Sequence, residues 1–411
     1  MARIKAFKGI RPRADVARDV AALPYDVYNR EEATKIVEDN PISFLSIDRA
    51  ETGFGPDVDT YDDVVYQRAH DRLWEMFDKG VFFRDDKDCL YLYELEMKGH
   101  IQTGIVACAS VDDYLNDVIK KHENTRADKE ADRIRHVTAC GAQTGPIFLA
   151  YKEDHGLTGI IEDIKMKNDP AYDFRSDDGV RHTVYVIDDG DTIDRIISLF
   201  GRIDNLYIAD GHHRAASAVK AALKKREESG NKPGEYDYFL SVLFADTQLS
   251  IMDYNRIVKD LGGHTEQSFL DEVKKIADIT EEADHILRPT ERGQCVMYLG
   301  GCWYRLVFKK EYLADDPVKG MDVSILQDNI LGPILGIDDP KTNERIEFVG
   351  GIRGLDFLRD RCDYFSKGVA FAMYPVSMKE LFDVADAGML MPPKSTWFEP
   401  KLRSGLFIHE I

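Results

Sequence analysis

One junction constrains the fold of this chain more than any other stretch. Leu206-Tyr207-Ile208-Ala209 is a short apolar run, and Ala215 to Leu223 is built from strong helix formers. Only Asp210-Gly211-His212-His213-Arg214 separates them. This reads as a strand passing through a tight turn straight into a helix, which points to an α/β or α+β core and away from a bundle or sandwich.

The rest of the chain alternates in the same way. Strands are predicted at Ile4 to Ile10, Ile42 to Ile47, Leu90 to Leu95, Ile101 to Val111, Pro146 to Tyr151, Thr183 to Ile187, Cys295 to Tyr298 and Trp303 to Phe308. Helices are predicted at about Arg30 to Glu38 behind an Asn29 cap, Tyr61 to Lys79 stopped by Gly80, Arg126 to Thr138, Ala215 to Glu228, Glu266 to Ile276 and Asp322 to Ile330. The charge of Arg126 to Thr138 reads as a solvated face, and Gly190 and Gly230 to Gly234 read as loops.

At 411 residues the chain exceeds one ordinary core. With no internal repeat or low-complexity linker to mark borders, it divides into an N-terminal α/β segment, 1–112, a core with the Asp210 turn, 113–262, and a C-terminal α/β segment, 263–411. Fifty-four Lys and Arg against 74 Asp and Glu leave a net charge of −20, which repels nucleic-acid backbones and anionic lipid. The six cysteines form no C-x-x-C pair and no zinc-like spacing, so they read as reduced, mostly buried thiols. The first residues are basic rather than apolar, so no signal peptide or membrane span is expected and the cytoplasm is the expected location.

The chemistry concentrates in the turn. A strand delivers Asp210 to the sheet edge, Gly211 permits a tight turn, and the amides that follow sit at a helix start, where the macrodipole favours an anion. His212, His213 and Arg214 add two imidazoles and a guanidinium, a set suited to phosphoryl oxygens as negative charge builds. Arg214 offers the fork that fits them. Taken singly, Asp210 is an ordinary helix cap and the histidines are ordinary packing or surface residues. A metal site is the weaker option, because adjacent histidines do not readily share one ion.

Asp-Gly-His-His-Arg after an apolar strand resembles the ParB/sulfiredoxin-like superfamily, in particular its free-serine kinase branch. Two further segments resemble that branch in the same order: His122-Glu123 after Val118-Ile119-Lys120-Lys121, and Pro393-Lys394-Ser395-Thr396. Over its whole length, including Pro24-Tyr25-Asp26-Val27, Asn40-Pro41-Ile42-Ser43-Phe44-Leu45 and Met391 to Thr396, the chain is similar to the domain-of-unknown-function 1015 family.

The resemblance implies a ParB/sulfiredoxin-like mixed-sheet core elaborated by N- and C-terminal α/β segments. It implies a phosphotransferase that interconverts L-serine and O-phosphoserine with a nucleotide, ADP or ATP. Glu123 would be the general base, and Lys394, Ser395 and Thr396 would bind the amino acid, a cation and two hydroxyls matched to a carboxylate. Catalysis would fall on Glu123, His212, His213 and Arg214, and nucleotide binding on Asp210 to Arg214. By ligand hardness Asp210 is the expected Mg2+ ligand. A phosphoserine phosphatase is the related alternative. A nucleotide-binding regulator of ParB type is another class, disfavoured by the acidic charge and by the lack of a basic recognition helix. A sulfiredoxin-like role lacks its cysteine, since Gly211 stands where the thiol would be sought. Pro24-Tyr25-Asp26 has no counterpart in the smaller kinases and reads as a cover for the site or as a strand-exit turn.

Overall fold

A computed structural model describes residues 1–282 and 286–411. The chain forms two compact units, Met1–Leu249 with Pro400–Ile411, and Ser250–Glu399. Strands from both sides of residue 112 share the sheet of the first unit, and its last residues are the C-terminus of the chain.

That sheet has nine strands. Along its path run Ile119–Lys120, Leu206–Asp210, Ile147–Tyr151, Tyr238–Ala245, His100–Ser110, Leu90–Met97, Arg181–Ile187 and Tyr172–Arg175, with Ile4–Lys5 paired to His100–Ser110 off the path. Leu206–Asp210 runs parallel to Ile119–Lys120, and Tyr238–Ala245 parallel to Ile147–Tyr151. The other pairs are antiparallel. The architecture is therefore mixed α/β. Between Leu90–Met97 and His100–Ser110 the chain turns at Lys98 and Gly99, with φ of 52° and 82°. Two successive positive φ values give the two-residue turn whose twist matches that of the flanking strands.

One face of the sheet presents Leu90, Leu92, Ile105, Ala107, Leu149, Leu206 and Ile208, at the two-residue spacing of a strand, to helices His155–Lys167, Gly190–Phe200 and His212–Ser229. On the other, the rings of Tyr91 and Tyr93 meet Phe407 of the C-terminal segment at 5.2 and 5.7 Å. A second core joins Phe44, Leu45, Ile47, Val65, Ala69, Leu73 and Met76 of the N-terminal helices to Cys140 and Ile408.

Several sequence expectations need correction. Ile42 to Ile47 is not a strand: the chain turns after Pro41 and forms the short helix Leu45–Asp48. A brief apolar run buried on all sides has no periodicity to separate the two. Ile4 to Ile10 is broken into Ile4–Lys5 and Ile10–Pro12. Gly190 does not lie in a loop but opens helix Gly190–Phe200, because Asp189 caps it through Thr192 N at 3.0 Å. The charged helix Ala127–Cys140 is no solvated face, since Glu130, Asp132, Arg133 and His136 on it are buried. Asn29 does cap Arg30–Asp39, with a full capping box to Glu32.

The second unit carries an antiparallel six-stranded sheet in the order Ala277–Glu282, Cys302–Phe308, Gln294–Leu299, Val369–Met373, Tyr254–Val258, Ile346–Gly350. Leu355, Leu358 and Cys362 of helix Gly354–Tyr364 pack on it. The helix expected from Asp322 to Ile330 is α-helical over Asp322–Leu326 and widens to a π turn over Gln327–Leu331. All six cysteines are free, and only Cys302 is not fully buried. Among the described residues no helix is long and apolar enough to cross a membrane.

Candidate functional site

The Asp210 turn is built by its two neighbours. Leu206 to Ala209 are buried in the sheet, and a bulge against Ile147–Tyr151 between Ile208 and Asp210 leaves Asp210, opposite Phe148, as the last paired residue. Gly211 then adopts φ +94°, a conformation that side chains rarely take, and a Cβ on it would lie 3.1 Å from the guanidinium of Arg214. Helix His212–Ser229 begins at once, so its first amide groups face the mouth of the turn.

Parallel pairing explains why His122 and Glu123 arrive at the same place. Leu206 and Tyr207 are in register with Ile119 and Lys120, so both strands leave the sheet at one edge. The ring of His122 stands 4.5 Å from that of His212 at 85°. His212 accepts from the His122 backbone N–H at Nε2, 3.5 Å away, which leaves its proton on Nδ1, 3.8 Å from Glu123 Oε2. His213 Nδ1 accepts from the Arg126 N–H at 3.4 Å.

Charge in the turn is balanced locally. Asp210 Oδ1 accepts from the Gly211 N–H at 2.9 Å, while its Oδ2 accepts from Lys401 Nζ at 3.2 Å and lies 3.9 Å from Arg214. Burial opposes ionisation of Asp210, but Lys401 and Arg214 outweigh it and hold the carboxyl well below the usual carboxylate range. Arg214 also donates to the Pro146 carbonyl. Burial pushes His122 down to about 4 and His212 well below the ordinary histidine range, the latter with help from His122, so both imidazoles are neutral near pH 7. Among the described residues, neither ring nitrogen of His122 has a hydrogen-bond partner, although the ring is 1% exposed.

The turn also meets the N-terminal segment. Pro24 and Tyr25 line, with Arg214 and Ser217, a cavity of about 30 Å³. The Tyr25 ring lies 4.1 Å from the Arg133 guanidinium. Of the residues singled out in the sequence, the structure thus gathers Glu123, Asp210, Gly211, His212, His213 and Arg214. Lys394, Ser395 and Thr396 belong to the second unit. There Lys394 takes φ +58°, its carbonyl accepts from Arg256 at 3.1 Å, and Ser395 Oγ donates to the Pro392 carbonyl at 2.7 Å. Lys401 and Tyr25 were not singled out as site residues. No local pattern marks Lys401, whereas the Pro24-Tyr25-Asp26 motif did point to Tyr25.

The set has an amide-lined turn, two cations, neutral imidazoles and a carboxylate that is 44% exposed at its side chain. It can hold an anion and take a proton beside it. A protein-held magnesium ion does not fit: Asp210 is already engaged by two cations, and among the described residues no group of three His, Cys, Asp or Glu could hold a metal. Asp210, the expected metal ligand, is paired with Lys401 in this structure.

Residues 4–324 match the family described as "Protein of unknown function (DUF1015)". The chain belongs to this family. No curated protein matches it. Among solved structures, SbnI with a C-terminal truncation, from Staphylococcus aureus, is similar at 12% identity and TM-score 0.39, over 74% of this DUF1015 chain and 86% of that one. A free serine kinase in complex with AMP is similar at 14% identity and TM-score 0.34, over 74% and 91%.

Proposed function

We propose that this DUF1015 protein is a phosphotransferase acting on the hydroxyl of a free amino acid, interconverting L-serine and O-phosphoserine with ADP or ATP. The observation that carries the reading is the Asp210 to Arg214 turn, an anion cradle at a helix start, with Glu123 3.8 Å from His212 beside it.

Phosphoryl transfer asks for positioning and charge neutralisation more than for covalent help. The amides after Gly211 and the guanidinium of Arg214 hold the phosphoryl oxygens, and Lys401 cancels the charge of Asp210 that would repel them. Glu123 takes the proton of the substrate hydroxyl as its oxygen bonds to phosphorus and the bond to the nucleotide oxygen breaks. A positioned base contributes roughly a hundred- to ten-thousand-fold. His212, neutral and protonated on Nδ1, orients Glu123. Magnesium enters as part of the nucleotide substrate rather than as a resident of the protein. Run backwards, the same groups give serine from phosphoserine. The amino-acid role expected of Lys394, Ser395 and Thr396 is tested by Lys394→Ala, and an unchanged KM for the amino acid would remove them from it.

The exposure of Glu123 favours one second reading, a phosphoserine phosphatase in which water takes the place of the nucleotide. Incubating the protein with phosphoserine, with and without ADP, separates the two. ATP formed only with ADP supports the transferase, whereas free phosphate without nucleotide replaces it with the phosphatase.

A further inference from the structure

The N-terminal helices and helix Ala127–Cys140 border a second, open cavity to which the reaction above assigns no role. Its volume is about 170 Å³. A cavity of about 150 Å³ accommodates a six-carbon ring, so a small amino acid fits here. Tyr25, Asp48, Arg133 and His136 line both this cavity and the smaller one that Arg214 borders, so the two adjoin.

The walls carry charges of both signs, and most are matched. Asp132 accepts from Arg133 Nε and from the Tyr66 hydroxyl, each at 2.9 Å, and Glu51 accepts from Arg49 at 2.6 Å. Asp48 is the exception. It is 5% exposed and accepts one hydrogen bond from a side chain, that of Thr144 at 2.8 Å. Among the described residues, no lysine or arginine nitrogen lies within 4.0 Å of it, Arg133 feels its charge only at longer range, and the ring of His136 stands 4.0 Å away. Burial and the neighbouring Arg133 keep His136 neutral, so it supplies no countercharge.

A buried carboxylate is costly without a cation, and it can accept several more hydrogen bonds. Tyr25, Tyr61 and Tyr66 line the same space, and aromatic faces suit an ammonium. Lys129, partly exposed and 3.3 Å from the Tyr61 hydroxyl, offers the opposite charge.

We propose that this cavity seats a small zwitterionic amino acid, its ammonium on Asp48 and its carboxylate on Lys129, with the side-chain hydroxyl toward Arg214. The assignment rests on the transferase reading and gives it, in place of Lys394, Ser395 and Thr396 of the second unit, an amino-acid site within the unit that carries the phosphate turn.

Calorimetric titration of the full chain without nucleotide tests it, using L-serine and glycerate, the analogue with a hydroxyl in place of the ammonium. Serine should bind, and glycerate should bind at least tenfold more weakly. Asp48→Asn should weaken serine binding at least tenfold. Because that residue is buried, a second variant, Thr60→Trp at a partly exposed lining position, should also abolish binding by filling the space. Equal binding of serine and glycerate, full binding by Thr60→Trp, or no serine binding at tens of millimolar would overturn the assignment. Serine binding of the expected pattern without phosphoserine formation from any nucleotide would sink the transferase reading and leave the amino-acid site standing.

Discussion

Lys401 Nζ donates to Oδ2 of Asp210 at 3.2 Å across 191 positions of sequence. The contact ties the last segment of the chain to the turn that the sequence marks most clearly, and it decides the sign of the site. With Lys401 in place, Asp210 presents little net charge to an incoming phosphate. Lys401→Met leaves that carboxylate facing the phosphate. A charge-assisted hydrogen bond contributes about 1.5–3 kcal/mol, and the 35% exposure of the Asp210 side chain screens part of it. We expect KM for the nucleotide to rise about tenfold, with the far-ultraviolet circular dichroism unchanged. An unaltered KM would remove Lys401 from the site.

Glu123 and Arg214 should fail differently. Arg214 holds phosphate in the ground state and in the transition state, so Arg214→Ala should raise nucleotide KM and lower kcat together. Glu123 acts only as the proton leaves, so Glu123→Gln should lower kcat by roughly a hundredfold or more with nucleotide affinity unchanged. Steady-state kinetics of both variants check the split. Full activity in Glu123→Gln would show that another group is the base.

How legible this site was depends on how local its causes are. The turn could be read because an apolar strand, five polar or small residues and an alanine-rich helix follow one another without a break. Gly211 at φ +94° is what such a turn requires. Lys401 could not be read, because its partner comes from far away in sequence and no period or spacing announces it. Helix Ala127–Cys140 misled for a related reason. Its charges look like a solvent face until Tyr25, Asp48 and Tyr66 arrive from the N-terminal segment to bury them. Ile42 to Ile47 was lost to the ambiguity of short apolar runs, and Pro24-Tyr25-Asp26 acquired a meaning only when Tyr25 was found beside Arg133.

His122 gives a prediction in pH. Its folded pKa is pushed from 6.5 to about 4 by burial. Between those values the unfolded chain binds a proton that the folded chain refuses, so its contribution is fully present above about 6.5 and is lost as pH falls toward 4. His182, pushed down to about 3 by burial and Arg403, acts with the same sign. Asp322 in the second unit, raised to about 6 by burial, acts with the opposite sign. The difference between wild type and His122→Phe cancels both. Urea unfolding should show the variant losing less stability on acidification, by up to about 1.4 kcal/mol per pH unit between 6.5 and 4. At pH 7 the variant should be at least as stable, because two buried ring nitrogens without a side-chain partner are gone. Identical pH slopes would mean that His122 titrates normally.

The Arg133–Asp132 pair yields the last prediction. Their side chains are 9% and 7% exposed and meet at 2.9 Å, and the Arg133 guanidinium also lies 4.1 Å from the Tyr25 ring. Removing one partner of such a pair leaves the other charge buried and uncompensated, whereas removing both deletes the cost along with the attraction. Arg133→Met alone should therefore cost about 3–5 kcal/mol, and the double variant Asp132→Asn/Arg133→Met should recover much of the loss. Of the three tryptophans only Trp74 lies in the first unit. Replacing Trp303 and Trp397 by Phe makes its fluorescence report that unit's unfolding in urea. If the double variant is no more stable than Arg133→Met, the cost came from lost packing against Tyr25 rather than from the unpaired carboxylate, and the cavity beside Arg214 depends on the stacked arginine itself.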